Sequence, residues 1–174
     1  MGRRRKGREV LVQALYAADV GGFPLARTLD DQLARREGAD ETSSFARALA
    51  DKVTARLTAV DAWLASLLEN WDPARVGHVE RAILRLALTE LGWCPEVPQA
   101  VAINEACELA RLFADEQAVS FVNGVLDRAA RQIVDGAYPP RAVAPAPPEA
   151  VAVDAPAAAA PEPGTGTGTE EAPR

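Results

Sequence analysis

Apolar residues recur at steps of three and four along most of the chain, which is the spacing that predicts amphipathic helices. The clearest stripe runs from Phe45 to Leu67 and predicts one long helix, capped by Thr42, Ser43 or Ser44 and allowing for one break. The dense alternation of β-branched residues that would predict strands is absent from the sequence. The pattern therefore predicts an all-α fold, a compact bundle of about six or seven helices in two helical halves.

Glycine, proline and capping residues divide the rest of the chain into further helices. Besides the long helix, which extends to about residue 70, the predicted helical segments are residues 8–20, 24–37, 78–92, 98–113 and 118–135. An acidic turn at residues 114–117 joins the last two segments into a pair. The core positions predicted for this pair are Ile103, Ala106, Cys107, Leu109, Ala110 and Phe113, followed by Val122, Val125, Leu126, Ala129 and Ile133.

Phe121 lies outside the apolar arc of the last predicted helix, on the side of Gly124 and Arg128. A large aromatic side chain next to an arginine can serve as a stacking platform for an unpaired base. It can also pack against a neighbouring helix, as most apolar side chains do. The pattern alone favours the second interpretation and leaves the first open.

Two carboxylates interrupt the apolar face of the segment 78–92, at Glu80 and Glu90. An acid that faces a core must be paired or neutralised, so Glu90 is expected to bond an arginine or a helix end within the fold. Glu80 falls in the first turn, where the helix dipole favours a negative charge. Ten helical residues separate the two by about 15 Å, which is too far for a catalytic pair of carboxylates.

The charge distribution is uneven. The net charge is −6, which argues against indiscriminate coating of nucleic acid, yet residues 3–8 carry five positive charges in six positions. This basic segment runs into a helix whose polar side carries Gln13 and Tyr16. Arginine, an amide and a phenol suit RNA phosphates, base edges and base stacking. On the residues alone, a frayed and solvated basic tail is an equally good interpretation.

Other features narrow the class of protein. Cys94, Cys107 and the single histidine His78 fit no zinc-ligand pattern, so we expect two free thiols and no zinc site. No apolar run reaches the length of a membrane span, and no signal-peptide core follows the basic start, so a cytoplasmic protein is predicted. Residues 138–174 are rich in proline, alanine and Gly-Thr repeats and are expected to form a disordered tail after a helical domain of residues 1–137.

Several separate motifs, in the same order, resemble those of the NusB family of bacterial transcription antitermination factors. They are ERAILRLALTEL, INEACELAR and FVNGVLD, and the similarity extends over roughly residues 3–135. The resemblance implies a non-catalytic protein that binds the boxA element of ribosomal RNA transcripts together with the small-subunit ribosomal protein NusE. It also implies a larger complex with other Nus factors and RNA polymerase that suppresses termination.

The resemblance also suggests site residues. The family's basic N-terminal motif corresponds to Arg4, Arg5, Lys6 and Arg8, with Gln13 and Tyr16 following on the same helix. The Phe-Val-Asn-Gly motif corresponds to residues 121–124, which implies RNA stacking by Phe121 and a polar RNA contact or a turn-stabilising bond by Asn123. Glu80 and Arg81 are further candidates, for contact with RNA or with the protein partner.

One departure from the family pattern concerns the residues before Phe121. Many members have a serine and, directly before the phenylalanine, a lysine, whereas this chain has Gln-Ala-Val-Ser at residues 117–120. The missing lysine removes one phosphate contact, so RNA binding here is expected to be weaker or to rely more on the N-terminal arginines. Ser120 cannot supply that charge.

Two other classes remain as alternatives. NusB-like domains also occur fused to RNA methyltransferases, but that class needs a glycine-rich cofactor-binding segment after the helices, and the tail has only Gly-Thr repeats. The second alternative is a helical protein–protein adaptor, or a homodimer that masks its own RNA surface. A stable dimer that buries Arg5 and Phe121 would favour this class.

Overall fold

The computed structural model describes residues 2–36, 40–68, 72 and 75–138, and this part of the chain forms six helices and no strand. The helices are α1 (Arg3–Gly21), α2 (Leu25–Ala34), α3 (Asp40–Leu67), α4 (His78–Trp93), α5 (Gln99–Phe113) and α6 (Glu116–Val134). The all-α prediction is confirmed. The predicted tail beyond residue 138 lies outside the described residues.

Local sequence explains three of the helix ends. Gly22 adopts a left-handed conformation, with φ of 66°, and stops α1 where the glycine pair predicted its end. Asp115 caps α6 by accepting a hydrogen bond from the Ala118 N–H, at 2.8 Å, which accounts for the short acidic turn between α5 and α6. Pro98 directly precedes α5, where its missing N–H does no harm.

Two predicted helix starts are wrong. The first helix begins at Arg3, so the basic segment is itself helical rather than a lead-in to the helix. The long helix α3 begins at Asp40 and runs unbroken for 28 residues, which places Thr42 inside the helix instead of at its cap. In both segments the helix begins further towards the N-terminus than the sequence predicted.

The helices form the two expected halves, α1–α3 and α4–α6, and α4 is the common element because it packs against α1, α3, α5 and α6. Its side chains are buried on nearly all sides from Ala82 to Glu90. Every predicted core position of the α5–α6 pair is buried or packed against the core. Leu57 is the exception in the α3 stripe, since it remains 36% exposed.

An aromatic cluster joins α3 to the end of the described chain. Trp63 is fully buried, and its Nε1–H donates to Gln132 Oε1 at 2.7 Å. The Tyr138 ring stacks on Trp63 with centroids 4.5 Å apart, and its hydroxyl donates to the Ala59 carbonyl at 3.0 Å. Composition assigned Tyr138 to the tail, but the structure places it on the helical domain.

The close contact of α1 with α3 depends on Gly7. A Cβ atom at this position would lie 2.6 Å from Phe45 Cδ1 and 3.3 Å from the Thr42 carbonyl oxygen. We therefore expect Gly7→Ala to destabilise the fold by about 1–3 kcal/mol through overpacking, although alanine is the better helix former. Urea denaturation followed by circular dichroism would measure the change.

Gly124 offers a matched control, because it lies within α6 and a Cβ atom there would meet nothing within 4 Å. Gly124→Ala is expected to stabilise the protein by up to about 1 kcal/mol. Equal effects of the two substitutions would show that the α1–α3 contact does not require glycine.

No helix within the described ranges is long and apolar enough to cross a membrane.

Candidate nucleic-acid interface

The helical start of α1 distributes its basic side chains around the helix axis, so that they have different environments. Arg4 and Lys6 are exposed, and Arg3 is exposed and paired with Glu41. Arg5 is half-buried and Arg8 is buried. The five charges that are adjacent in sequence therefore do not form one continuous basic surface.

Arg8 is the clearest departure from the predicted site. Its side chain is only 4% exposed, and its Nε and Nη2 bind the Glu90 carboxylate with distances of 2.7–3.1 Å. Its guanidinium also lies over the Phe45 ring, 5.3 Å from the centroid. With its charge neutralised inside the fold, Arg8 is not available to a phosphate, so its predicted RNA contact is corrected to a structural role. The prediction that Glu90 bonds an arginine is confirmed.

Arg5 lies at the edge of the surface and is also paired. Its Nε and Nη2 form a fork with the two Glu105 oxygens, at 3.0 and 2.7 Å, and its Nη1 is 3.4 Å from Glu108 Oε2. The hydrogen bond from Arg5 is the main cause that lowers the pKa of Glu105 and outweighs the effect of burial. Both groups are therefore ionised at neutral pH, and Arg5 is held in a fixed orientation.

The polar side of α1 continues to Gln13 and Tyr16, as the sequence predicted. Gln13 is half-buried and accepts a hydrogen bond from Arg36 Nη2 at 3.0 Å. Tyr16 is 42% exposed and meets the His78 ring edge-on, with centroids 6.4 Å apart. The fold thus brings α1 and the start of α4 together around Tyr16.

Arg81 belongs to the same region as Tyr16. It donates to the Val76 carbonyl at 2.8 Å and lies 3.4 Å from Asp19, a carboxylate that also binds His78 and Arg85. Hydrogen bonds from His78 and Arg85 keep the pKa of Asp19 below its usual value, although burial, the largest single influence, acts in the opposite direction. Glu80 is half-buried, and its carboxylate folds back against Gly77 at the start of α4, where the helix dipole favours it.

Phe121 and Asn123 lie on α6, which packs mainly against α5 and α4. Phe121 is half-buried and packs against the core, so only part of its ring faces solvent. Asn123 is exposed, and its Oδ1 lies 3.6 Å from the Cys107 sulfur. The predicted packing of Phe121 against neighbouring residues is confirmed, and its RNA-stacking role stays a prediction.

The two cysteines are free and buried, and burial raises the pKa of each thiol. Both are therefore protonated and unreactive at neutral pH. Among the described residues, no group of three or more His, Cys, Asp and Glu side chains is placed to hold a metal ion.

Three residues join the predicted site only in the folded protein. Phe45 lies below Arg4, 5.9 Å from its guanidinium, while Arg36 reaches Gln13 and His78 packs against Tyr16. In the sequence, Phe45 lies in the predicted core stripe, and His78 stood out only as a histidine that fits no zinc-ligand pattern. No local pattern could have identified any of the three, because each comes from a different helix or loop than its partner.

Comparison with known proteins places this arrangement in a family. The NusB family pattern matches residues 5–131. The transcription antitermination protein NusB of a Nitratiruptor species is 37% identical over 137 residues, covering 79% of this chain and 98% of that protein. The corresponding protein of Sorangium cellulosum is 38% identical over 133 residues, covering 76% and 95%.

Solved structures agree with the sequence relatives. T. maritima NusB superimposes with a TM-score of 0.68 at 30% identity, over 76% of this chain and 92% of that one. A chain in the crystal structure of antitermination factors NusB and NusE in complex with dsRNA also has a TM-score of 0.68, at 27% identity over 75% and 98%. The motifs, the six-helix fold and these similarities lead to one conclusion. The chain belongs to the NusB family.

Proposed function

We propose that this protein is a transcription antitermination factor that binds the boxA RNA of ribosomal transcripts together with a NusE-type small-subunit ribosomal protein. Membership of the NusB family is the main support for this proposal, because a relative of the same fold has been crystallised with NusE and dsRNA. The exposed basic residues at the start of α1, on a chain with net charge −6, provide the local electrostatic attraction that RNA binding requires.

We assign the RNA contacts to two groups of side chains. The first group comprises Arg4, Arg5 and Lys6 at the start of α1, with Gln13 and Tyr16 further along the helix. The second comprises Phe121 and Asn123 on α6. Because the first group carries charge and the second carries a ring and an amide, the first would bind phosphates and the second would bind bases.

A protein partner fits a different part of α1. Tyr16 and Val20, four residues apart, form an exposed apolar stripe at the end of α1, 42% and 54% exposed, and Phe23, just beyond the helix, is 48% exposed. An exposed apolar stripe of this kind suits contact with a protein more than contact with RNA. Glu80 and Arg81 lie at the start of α4, near Tyr16, and would contribute polar contacts at the rim. Tyr16 then lies at the boundary between the proposed RNA surface and the proposed partner surface.

The proposed mechanism is assembly and involves no reaction. A modest RNA contact and a modest protein contact strengthen each other when both are made by one complex. Other Nus factors and RNA polymerase would join the complex on the nascent transcript, which implies a cytoplasmic location. No cofactor enters this mechanism.

Binding of a boxA-like RNA and of a scrambled control would test the proposal, with and without the small-subunit partner and at two salt concentrations. Tighter, sequence-dependent binding in the presence of the partner is the expected result. Equal, weak and salt-sensitive binding to both RNAs would overturn it and leave the adaptor class as the better interpretation. Light scattering on the free protein would then test for a stable homodimer.

The two proposed contact groups are expected to respond differently to substitution. Arg4→Ala with Lys6→Ala should reduce the slope of log K against log salt concentration by about 0.7–0.9 for each phosphate that is no longer bound. Phe121→Ala should weaken binding of the specific RNA by about 1–3 kcal/mol with little change in slope, because stacking releases no counterions. Fluorescence anisotropy over a salt series measures both quantities, and an unchanged slope in the double variant would contradict the phosphate contacts.

A further inference from the structure

A chain of alternating charges runs from the core to the surface between α4, α1 and α5. Glu90 binds Arg8, whose Nη1 is 3.7 Å from Glu105 Oε2, and Glu105 in turn binds Arg5. Beyond Arg5, the chain continues through Glu108 to Arg111. Arg111 has no assigned role in the proposed RNA site, yet the chain of ion pairs connects it to that site.

The outer end of this chain borders a groove of about 280 Å³ between α1 and α5. Arg5 and Glu9 line it from α1, and Glu108, Leu109, Arg111 and Leu112 line it from α5. One oxygen of Glu108 is 3.4 Å from Arg5 Nη1, and the other contacts Arg111 Nη1. A single carboxylate thus spans two guanidinium groups that belong to different helices.

We propose that Arg5 and Arg111 form a binding site for an RNA backbone phosphate across this groove, and that Glu108 occupies the site in the free protein. The inference rests on the proposed RNA-binding function and adds to it a contact residue, Arg111, and an internal competitor, Glu108. A phosphate offers the same arrangement of paired anionic oxygens as the carboxylate that now bridges the two arginines.

The two carboxylates bound to Arg5 differ in how easily a phosphate can replace them. Glu105 is 14% exposed and holds Arg5 by a fork, whereas Glu108 is 36% exposed and makes only one contact with Arg5, at 3.4 Å. Glu108 is therefore the carboxylate that leaves. Glu105 remains and keeps the Arg5 guanidinium oriented towards the groove, so the arginine loses little conformational freedom when RNA binds.

The charges around the groove explain why competition between Glu108 and a phosphate affects RNA binding. Glu9 lies at the side of the groove, is 9% exposed and has an oxygen, Oε1, without a hydrogen-bond partner. With Glu9, Glu105 and Glu108 all present, the carboxylates in and beside the groove outnumber the two arginines that face it, which weakens the local attraction for a polyanion. Removal of Glu108 from the groove restores the balance, so its charge has a direct influence on RNA affinity.

The test uses the full-length protein and a boxA-like RNA. Glu108→Gln keeps the shape of the side chain and removes its charge, and we expect RNA affinity to rise about three- to fivefold at low salt. Arg111→Ala should weaken RNA binding and reduce the salt slope by about 0.7–0.9. Glu108→Gln combined with Arg111→Ala should show no such rise, because the site then lacks one of its two arginines.

A matched control separates the local effect from a general change of charge. Glu116 is an exposed carboxylate at the start of α6 that forms no ion pair within the described part of the chain, and Glu116→Gln changes the net charge equally. The inference would be overturned by equal effects of Glu108→Gln and Glu116→Gln on RNA affinity. It would also be overturned by a rise in affinity that persists in the variant without Arg111. Neither result would contradict RNA binding by the unaltered protein. Absence of RNA binding by the unaltered protein would overturn the proposed function, and the phosphate site with it.

Discussion

Arg8→Ala is expected to lower the free energy of unfolding by about 3–5 kcal/mol, a large part of the total stability of a domain of this size. The substitution leaves Glu90, which is 1% exposed, as an unpaired charge between α1 and α4. It also removes the guanidinium that lies over the Phe45 ring. Urea denaturation followed by circular dichroism at 222 nm measures the effect, and a change below about 1 kcal/mol would contradict the structural role of Arg8.

A paired substitution distinguishes the effect of an unpaired charge from the effect of the missing arginine itself. Arg8→Met combined with Glu90→Leu removes both charges and fills a similar volume, so its stability should lie much closer to that of the unaltered protein. The same double variant also tests whether Arg8 contacts RNA. If Arg8 acts only within the fold, the double variant binds RNA as well as the unaltered protein does. If Arg8 contacts a phosphate, RNA binding falls even though the fold is intact.

Trp63→Ala is the second substitution with a large expected effect, again about 3–5 kcal/mol. The indole is fully buried, stacks on Tyr138, and meets Trp93 edge-on with centroids 6.1 Å apart. Its removal leaves a cavity and deprives Gln132 Oε1 of its hydrogen-bond donor. The same denaturation experiment measures the effect, which should fall on α3, α6 and the chain segment at Tyr138.

Leu57 provides the control for this substitution, because it is also an apolar residue of α3 but is 36% exposed. Leu57→Ala should change stability by about 1 kcal/mol or less. Similar changes for Trp63→Ala and Leu57→Ala would show that the aromatic cluster contributes little. Tyr138→Phe, which removes the hydroxyl that bonds the Ala59 carbonyl, should have an intermediate effect of about 1 kcal/mol.

The architecture followed from the sequence because periodicity is a property of neighbouring residues. The stripe from Phe45 to Leu67, the pair of helices around the acidic turn and the start of α4 at His78 are all present in the structure. Helix starts were less accurate. Side-chain caps are only one cause of helix initiation, and α1 and α3 both begin further towards the N-terminus than the sequence predicted.

The candidate site was predictable only in part. The sequence located the basic segment and the Phe-Val-Asn-Gly motif, and the comparisons establish the family to which these motifs belong. The sequence could not indicate that Arg8 is buried, since an arginine in a basic run has the same local pattern whether it faces water or a carboxylate from another helix. The partner of Arg8 lies 82 positions away in the chain.

The sequence by itself determined the all-α fold, the faces of most helices, the need for a partner at Glu90 and the resemblance to the NusB family. Only the tertiary structure decided which arginines are available to a ligand, because burial and ion pairing depend on residues that are distant in the chain and adjacent in space. It separated the exposed Arg4 and Lys6 from Arg8 and joined Arg5 to Arg111 through Glu108. Helical periodicity acts over about four residues, which suffices for the Glu108–Arg111 pair within α5, whereas the pairs Arg8–Glu90 and Arg5–Glu108 form only when the helices pack.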